Sequence, residues 1–320
     1  MLKNNRVWVP LVVAAGALFA TNCSPASNSE KAGSVEIAED EQVESADETI
    51  TEIGVKLAAG PELSELEFGP DSTLFAASNE TESVYAFQLR DSDIGKSPDQ
   101  PTPFNFETLG TDLSQLFGVQ PLDITYNDLV VHPISTEAYL SVAVRMGSED
   151  FPALVRIDQT GALSLVNTGE LDYEMIELSD PANEDIVFWR DIPAASLTVT
   201  DLEFSDGKLL VAGLSTGEFA STLRAIDFPF NDDVSSSSIE IFHTAHNQNE
   251  TRAPIRAMTT ATVNGERTLI AAYTCTPLVT IPTQSLQDGE HVFGKTIAEL
   301  GYGNVPIEVQ IGRASCRERV

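Results

Sequence analysis

Basic residues are scarce in this chain of 320 residues, where 18 Lys and Arg stand against 49 Asp and Glu and the formal net charge is −31. A surface of this sign cannot neutralise phosphates, which excludes nucleic acid and anionic membrane surfaces as partners. Cysteine occurs three times and tryptophan twice. Hydrophobic residues still make up 42% of the chain. That share is enough to bury a sizeable core and argues against disorder over most of the length.

The N-terminal 22 residues have the layout of a secretory signal. Lys3 and Arg6 precede an apolar run from Val7 to Ala20, which is short for a bilayer span. We therefore predict export, with residues 1–22 as the signal peptide. Cys23 comes next and looks like the lipidated first residue of a bacterial lipoprotein. Cleavage after Ala20, with release as a soluble protein, is the alternative.

The segments that flank the central region are predicted to carry no fold. Residues 23–48 hold eight acidic side chains and one basic side chain, a composition typical of a disordered tether. The last ten residues, IGRASCRERV, match the translation of a common sequencing adapter. We expect residues 311–320 to be an artefact and the natural chain to be truncated near Gln310. With Cys23 and Cys316 set aside, Cys275 alone is left in the central region, so no intrachain disulfide is expected.

Residues 49–310 alternate apolar and polar side chains in short runs separated by turn residues, which is typical of β-strands. The strongest hairpin signals are Asp206-Gly207 and Asn264-Gly265, because a type I′ turn needs positive φ at both central residues. The four predicted hairpins cover Leu63–Ser78, Asp128–Ala143, Thr198–Leu214 and Ile255–Tyr273. A second pair of strands is predicted after each, at 84–89 and 106–110, 153–158 and 162–167, 221–228 and 238–245, and 278–283 and 295–301. Four antiparallel strands per unit form a propeller blade.

Two of these phrases, FGPDSTLFAAS and FSDGKLLVAGLS, resemble the inner hairpins of secreted YVTN- and NHL-like β-propellers. The resemblance implies an all-β fold: a β-propeller of four-stranded antiparallel blades, four of them visible, with a truncated fifth or last blade. An inner strand of that last blade is expected to begin at Val305, and the segment Thr49–Gly54 to complete its open edge. Other phrases look like a group of exported bacterial propeller proteins of unassigned activity, and the two tryptophans are too few for a quinoprotein propeller.

Five charged residues take equivalent places in the repeats. Alignment of the first strands puts Glu65, Asp128, Asp201 and Arg256 just before the apolar part of each strand, and Glu308 is the expected fifth member. Because inner strands line the channel of a propeller, we predict that these groups meet near one mouth. Carboxylates gathered there suit Ca²⁺, the one cofactor that the sequence suggests. The alternative is that each acid solvates the channel or caps a loop turn.

A second candidate site follows the third unit. His243 and His246 are close enough in sequence to reach one metal ion, and a carboxylate would complete a zinc-like set; ordinary surface histidines are the alternative. Arg252 and Arg256 are predicted to bind an anionic ligand through their planar donor groups. His132 is interpreted as a turn residue. The sequence contains no GxSxG, P-loop or HExxH motif.

These features predict an exported, lipid-anchored β-propeller that acts as a monomeric binding module in the cell envelope. Its expected location is the periplasm or the outer membrane, otherwise the medium. The expected partner is an envelope protein or a small-molecule ligand at the channel mouth, with membrane contact only through the lipid. The alternative function is a Ca²⁺-assisted periplasmic hydrolase of the propeller lactonase kind, since one fold hosts both.

Overall fold

The computed structural model describes residues 60–99, 106–188, 191–231, 233–274, 277–301 and 305–311. The predicted signal peptide, the lipidated Cys23, the acidic tether and the strand at 49–54 lie outside the described residues. The same is true of Cys275 and of the adapter segment beyond Ile311.

The described part of the chain is all-β with one α-helix. In chain order the strands are β1 (Glu65–Phe68), β2 (Thr73–Ser78), β3 (Ser83–Gln88), β4 (Ile124–Val131), β5 (Ala138–Met146), β6 (Glu149–Ile157), β7 (Leu163–Val166), β8 (Asp172–Glu177), β9 (Asp201–Ser205), β10 (Lys208–Leu214), β11 (Ser221–Asp227), β12 (Val234–His243), β13 (Gln248–Glu250), β14 (Ile255–Val263), β15 (Glu266–Tyr273), β16 (Pro277–Pro282) and β17 (His291–Glu299). The helix is α1 (Leu109–Phe117), and short 3₁₀ turns cover Pro70–Ser72, Asp91–Asp93, Pro121–Asp123, Thr168–Glu170, Ala194–Leu197 and Thr283–Ser285.

The strands form antiparallel groups of four. The first sheet has the order β1-β2-β3-β8 and the second sheet has the order β4-β5-β6-β7. The third sheet, β9 to β12 with the short β13 on β12, and the fourth sheet, β14 to β17, follow the same pattern. This grouping is compatible with a propeller-like arrangement.

The four predicted hairpins are confirmed as β1–β2, β4–β5, β9–β10 and β14–β15. Two of them turn at the dipeptides chosen from the sequence. Asp206 and Gly207 have φ of 53° and 81°, and Asn264 and Gly265 have φ of 52° and 87°. The conformation of such a turn is set by adjacent residues, so it does not depend on how the sheets pack.

The predicted strand at 106–110 is wrong. Leu109 begins α1, whose side chains Leu113 and Phe117 are buried against the second sheet. The spacing of Leu109, Leu113 and Leu116-Phe117 is that of a helix face, and Gly118, with φ of 69°, ends the helix in the left-handed region. The fourth strand of the first sheet is instead β8, which comes after the whole second sheet and pairs with β3.

The sheets do not stack in chain order, as consecutive blades would. One face of the first sheet packs on the second sheet, with Phe68 against Tyr139, and its other face packs on the third sheet, with Phe75 against Phe204. The order of layers is therefore α1, second, first, third and fourth sheet. Both faces of the first sheet are covered, and every residue of β2 is buried.

Two further features of the structure differ from the predicted arrangement of four separate blades. The last strand of the third sheet, β12, pairs in parallel with β17, which joins the third and fourth sheets into one sheet of nine strands. Residues 305–311 form no strand, so the inner strand predicted from Val305 is wrong. A strand needs a partner edge, and none of the described sheets pairs with this segment.

Candidate functional site: charged groups where the first strands meet

The first strands of the four sheets lie side by side. β1 contacts β4 on one flank and β9 on the other, and β9 in turn contacts β14. Carboxylates join them: Asp128 Oδ2 in β4 accepts a hydrogen bond of 2.7 Å from the backbone N–H of Leu66 in β1. Asp201 in β9 accepts one from the backbone N–H of Met258 in β14. Each acid thus connects its own sheet to a neighbouring one.

The charges of five residues act on one another at this place, and we call Glu65, Asp128, Asp201, Arg256 and Glu308 the first-strand cluster. Burial raises the pKa of Glu65 well above its usual range, and the charges of Asp128, Asp201 and Glu308 raise it further, while Arg256 lowers it. The four other members of the cluster therefore lie within electrostatic range of Glu65.

The two aspartates of the cluster also lie in surroundings that raise their pKa values. Burial raises the pKa of Asp128, although hydrogen bonds from the backbone of Leu66 and Leu129 act in the opposite direction. Burial raises the pKa of Asp201 well above its usual range, and the charges of Glu308 and Asp128 add to the effect. Backbone N–H groups are the ordinary partners of such buried acids.

Glu308 reaches the cluster from the segment after β17. Glu308 is exposed at the surface of the chain. Partial desolvation raises the pKa of its carboxyl group to about 7, the charges of Asp128 and Glu203 add to this effect, and a hydrogen bond from the backbone of Val309 opposes it. Glu203, which the sequence analysis missed, is buried in β9 and accepts a 2.8 Å hydrogen bond from the backbone N–H of Thr260. The sequence feature that could have identified Glu203 is its position two residues after Asp201, which puts both side chains on the same face of the strand.

The predicted Ca²⁺ role of these acids stays a prediction. Among the described residues, one group of metal-binding side chains is compact enough to hold an ion. It consists of His243, His246 and Glu250, whose ligand atoms all lie within 4.8 Å of one another. The carboxylates of the first-strand cluster form no such group. Two of them already accept backbone hydrogen bonds, as the alternative reading of structural acids expects.

The two histidines lie together at the end of β12. His243 is fully buried, which departs from the reading of both as surface histidines, whereas the His246 side chain is 44% exposed. Their ring centroids are 4.1 Å apart. His246 Nδ1 lies 2.5 Å from Glu250 Oε1, and His243 Nδ1 lies 3.1 Å from Glu250 Oε2. We call His243, His246 and Glu250 the histidine cluster.

A fourth group beside the histidine cluster comes from β17. Glu299 Oε2 lies 3.7 Å from His243 Nε2, and Glu299 Oε1 accepts a hydrogen bond of 2.9 Å from the backbone N–H of Thr244. Glu299 carries no sequence signal for this site, because only the parallel pairing of β12 with β17 brings it here. No local pattern contains that information.

The remaining predicted site residues, Arg252, Arg256 and His132, lie in different surroundings. Arg252 is exposed between β13 and β14, while Arg256 is half-buried in β14, where its charge acts on Glu65. Their use in anion binding stays a prediction. His132 is confirmed as a turn residue: its Nδ1 accepts a 3.0 Å hydrogen bond from the backbone N–H of Ser135, and its Nε2 lies 3.1 Å from Ser72 Oγ.

Comparison with protein-family models finds no match, and comparison with curated proteins finds none either. Within the described ranges, no helix has the length and apolar character needed to cross a membrane.

Proposed function

We propose that the protein is an exported, propeller-like binding module, attached to the cell envelope through Cys23, that binds an envelope protein or a small-molecule ligand at the first-strand cluster. The observation that carries the proposal is the gathering of Glu65, Asp128 and Asp201 from three different sheets, half-buried, with raised pKa values. Partly buried carboxylates that repel one another lower stability, and groups perturbed in this way concentrate at functional sites.

The chemistry of the cluster favours a ligand that carries positive charge. The cluster holds four carboxyl groups and a single guanidinium, that of Arg256, whose charge acts on Glu65. A cationic group placed among them would favour their charged forms and offset the desolvation of Glu65. An acidic protein surface, with a net charge of −31, also draws cationic partners towards it.

Export and binding can be tested in the same cells. In a bacterial host that makes the full chain, we expect the protein in the envelope fraction and labelled by a radioactive fatty acid, and we expect Cys23→Ser to lose the label. A photo-reactive amino acid in place of Glu308 should cross-link to an envelope component, and Arg256→Gln should change the yield at least several-fold.

The matched control places the same photo-reactive amino acid at Glu218, which is exposed, and should give no product that depends on Arg256. A chain with Cys23 intact that stays in the cytosol contradicts export. Cross-links that form equally from both positions contradict binding at the first-strand cluster.

The second candidate is the Ca²⁺-assisted hydrolase, which one observation favours: the pKa of Glu308, about 7, suits a general base at neutral pH. For this function, CaCl₂ should raise the melting temperature of the full chain at pH 8 and EDTA should reverse the rise. Glu65→Gln should weaken the calcium effect at least tenfold, and Glu218→Gln should leave it unchanged. A melting temperature that ignores both CaCl₂ and EDTA excludes this candidate and leaves the binding module standing.

A further inference from the structure

We propose that the histidine cluster, His243, His246 and Glu250, binds a divalent transition metal ion, with zinc as the preferred ion and Glu299 as the positioning residue for the His243 ring. The proposal does not depend on the function proposed for the first-strand cluster, because the two sites share no residue.

The local fold places the three ligands together. β12 ends at His243, the chain turns through 244–247, and β13 returns antiparallel, so that His243 pairs with Gln248 and Ile241 pairs with Glu250. His243 and Glu250 are thus diagonal neighbours on the same face of the hairpin. His246 lies in the turn, where Asn247 adopts a φ of 51°, and its ring stands over that of His243.

Both ring nitrogens of the buried His243 side chain lack a hydrogen-bond partner. The residue is 0% exposed, and neither ring nitrogen makes a hydrogen bond. Glu250 approaches Nδ1 at 3.1 Å without the direction of a hydrogen bond, and Glu299 lies 3.7 Å from Nε2, beyond hydrogen-bond distance. A buried imidazole without hydrogen bonds is destabilising, and coordination of a metal ion would satisfy one of its nitrogens.

The ligand atoms lie close enough together to share one ion. With zinc bonds of about 2.0 Å, ligand atoms of a tetrahedral site lie about 3.3 Å from one another. His243 Nδ1 lies 3.1 Å from Glu250 Oε2, near this separation, and the ligand atoms of all three residues lie within 4.8 Å of one another. His246 Nδ1 is hydrogen-bonded to Glu250 Oε1 at 2.5 Å, and bonds to the metal would replace this hydrogen bond. Two imidazoles with one carboxylate are ligands that zinc favours, whereas Ca²⁺ takes six to eight oxygens.

The charges also suit a divalent ion. The Glu250 carboxylate contacts both imidazoles, at 2.5 Å from His246 Nδ1 and 3.1 Å from His243 Nδ1. Two neutral imidazoles and one carboxylate leave a divalent ion with one positive charge. Glu299 supplies the balancing negative charge on the far side of the His243 ring.

Glu299 has the place of an outer partner rather than a ligand. It faces His243 Nε2, while Nδ1 of the same ring faces Glu250. A carboxylate behind a metal-bound histidine fixes the tautomer and the ring orientation. Because the His246 side chain is partly exposed, a water molecule has access to the remaining coordination position. Through Glu299 the bound ion would also fasten the β12–β13 hairpin to β17.

The test is zinc binding by the full chain after treatment with EDTA, in a buffer with excess MgCl₂ to occupy weak carboxylate sites. We expect one zinc ion per chain by titration calorimetry and a higher melting temperature with ZnCl₂. His246→Gln and Glu250→Gln should weaken the affinity more than 100-fold. Glu299→Gln should weaken it about 10- to 100-fold and change the visible spectrum of the Co²⁺-substituted protein.

His291 offers a matched control, because its Nε2 also contacts a carboxylate, that of Glu240, at 2.7 Å. Among the described residues, however, His291 belongs to no group of three side chains that could hold a metal ion. His291→Gln should leave the zinc affinity within a factor of two. His246 is exposed enough that its replacement leaves folding intact, so a loss of binding in that variant is a loss of the ligand. Absence of stoichiometric zinc binding, or affinity unaltered by both His246→Gln and Glu250→Gln, overturns the proposal.

Discussion

Replacing Arg224 with Leu is expected to lower the free energy of unfolding by about 3–5 kcal/mol, the usual cost of removing one partner from a buried ion pair. Arg224 lies in β11 and is 0% exposed. Its Nε donates to Asp180 Oδ1 at 2.6 Å, and its two other nitrogens donate to the carbonyl oxygens of Thr198, Asp180 and Leu214. One side chain thus satisfies four acceptors from three separate segments.

The physical reason for so large an effect is that Leu removes the Arg224 donors from all four acceptors, three of which are backbone carbonyl oxygens. Buried carbonyl oxygens that lose their partner cost about 1–3 kcal/mol each when no water replaces it. Arg224→Lys should recover only part of the loss, because an ammonium group cannot reproduce the planar set of five donors.

The measurement is thermal or urea unfolding of the full chain, where the expected loss corresponds to a melting temperature about 6–20 °C lower. The control is Arg145→Leu, since Arg145 makes a similar two-pronged contact with Asp150 at 2.9 Å and 2.8 Å but both side chains are exposed. Exposed pairs contribute at most about 1 kcal/mol. Equal losses for the two variants would mean that burial of Arg224 is not what matters.

The second large effect is a melting temperature that falls as the pH rises from about 4.5 to 8. In the folded chain the pKa values of Glu65, Asp128 and Asp201 are raised, and that of Glu308 is about 7. The folded state therefore keeps protons that the unfolded state has already released. Stability from these groups is fully present below the ordinary carboxyl pKa and is lost as the pH passes through the raised values.

Glu65→Gln isolates this effect, because an uncharged amide resembles the protonated acid at every pH. The variant should melt at a higher temperature than the unaltered chain at pH 8 and should have a shallower dependence on pH. Each pKa unit of difference between folded and unfolded states is about 1.4 kcal/mol. The Arg256 charge limits the gain, since it partly offsets the repulsion in the unaltered cluster.

Melting curves at intervals between pH 4.5 and 8 test the expectation. The exposed Glu218→Gln serves as control, because it removes the same charge from a chain that already carries many acids. A Glu65→Gln curve that runs parallel to the control curve would show that burial of this cluster does not govern the pH dependence.

The sequence predicted the hairpins well because each depends on a few adjacent residues, such as Asp206-Gly207, whose backbone preference is local. It failed for β8 and α1. The alternating pattern predicts four consecutive strands per unit, while the structure pairs β8 with β3 of the first sheet only after the whole second sheet has intervened. The order of sheets depends on which apolar faces match, and single-sequence periodicity shows that a face is apolar without showing its partner.

For the candidate sites, too, the sequence predicts what depends on residue positions in the repeats and does not predict what depends on contacts between sheets. Glu65, Asp128 and Asp201 were found because the repeats put them at equal positions, and neighbouring first strands then bring equal positions together. Contacts between sheets supply the backbone N–H groups that donate to Asp128 and Asp201. They also bring Glu299 close to His243. Such contacts leave no mark on residue spacing.

The placement of β8 has a consequence for synthesis of the chain. As the protein leaves the ribosome, β3 is made early, and its edge stays without a partner until α1, the second sheet and finally Asp172–Glu177 have emerged. An open strand edge of apolar residues invites pairing with another nascent chain. Completion of the first sheet is thus a late, long-range event, and the growing chain is most exposed to aggregation in that interval.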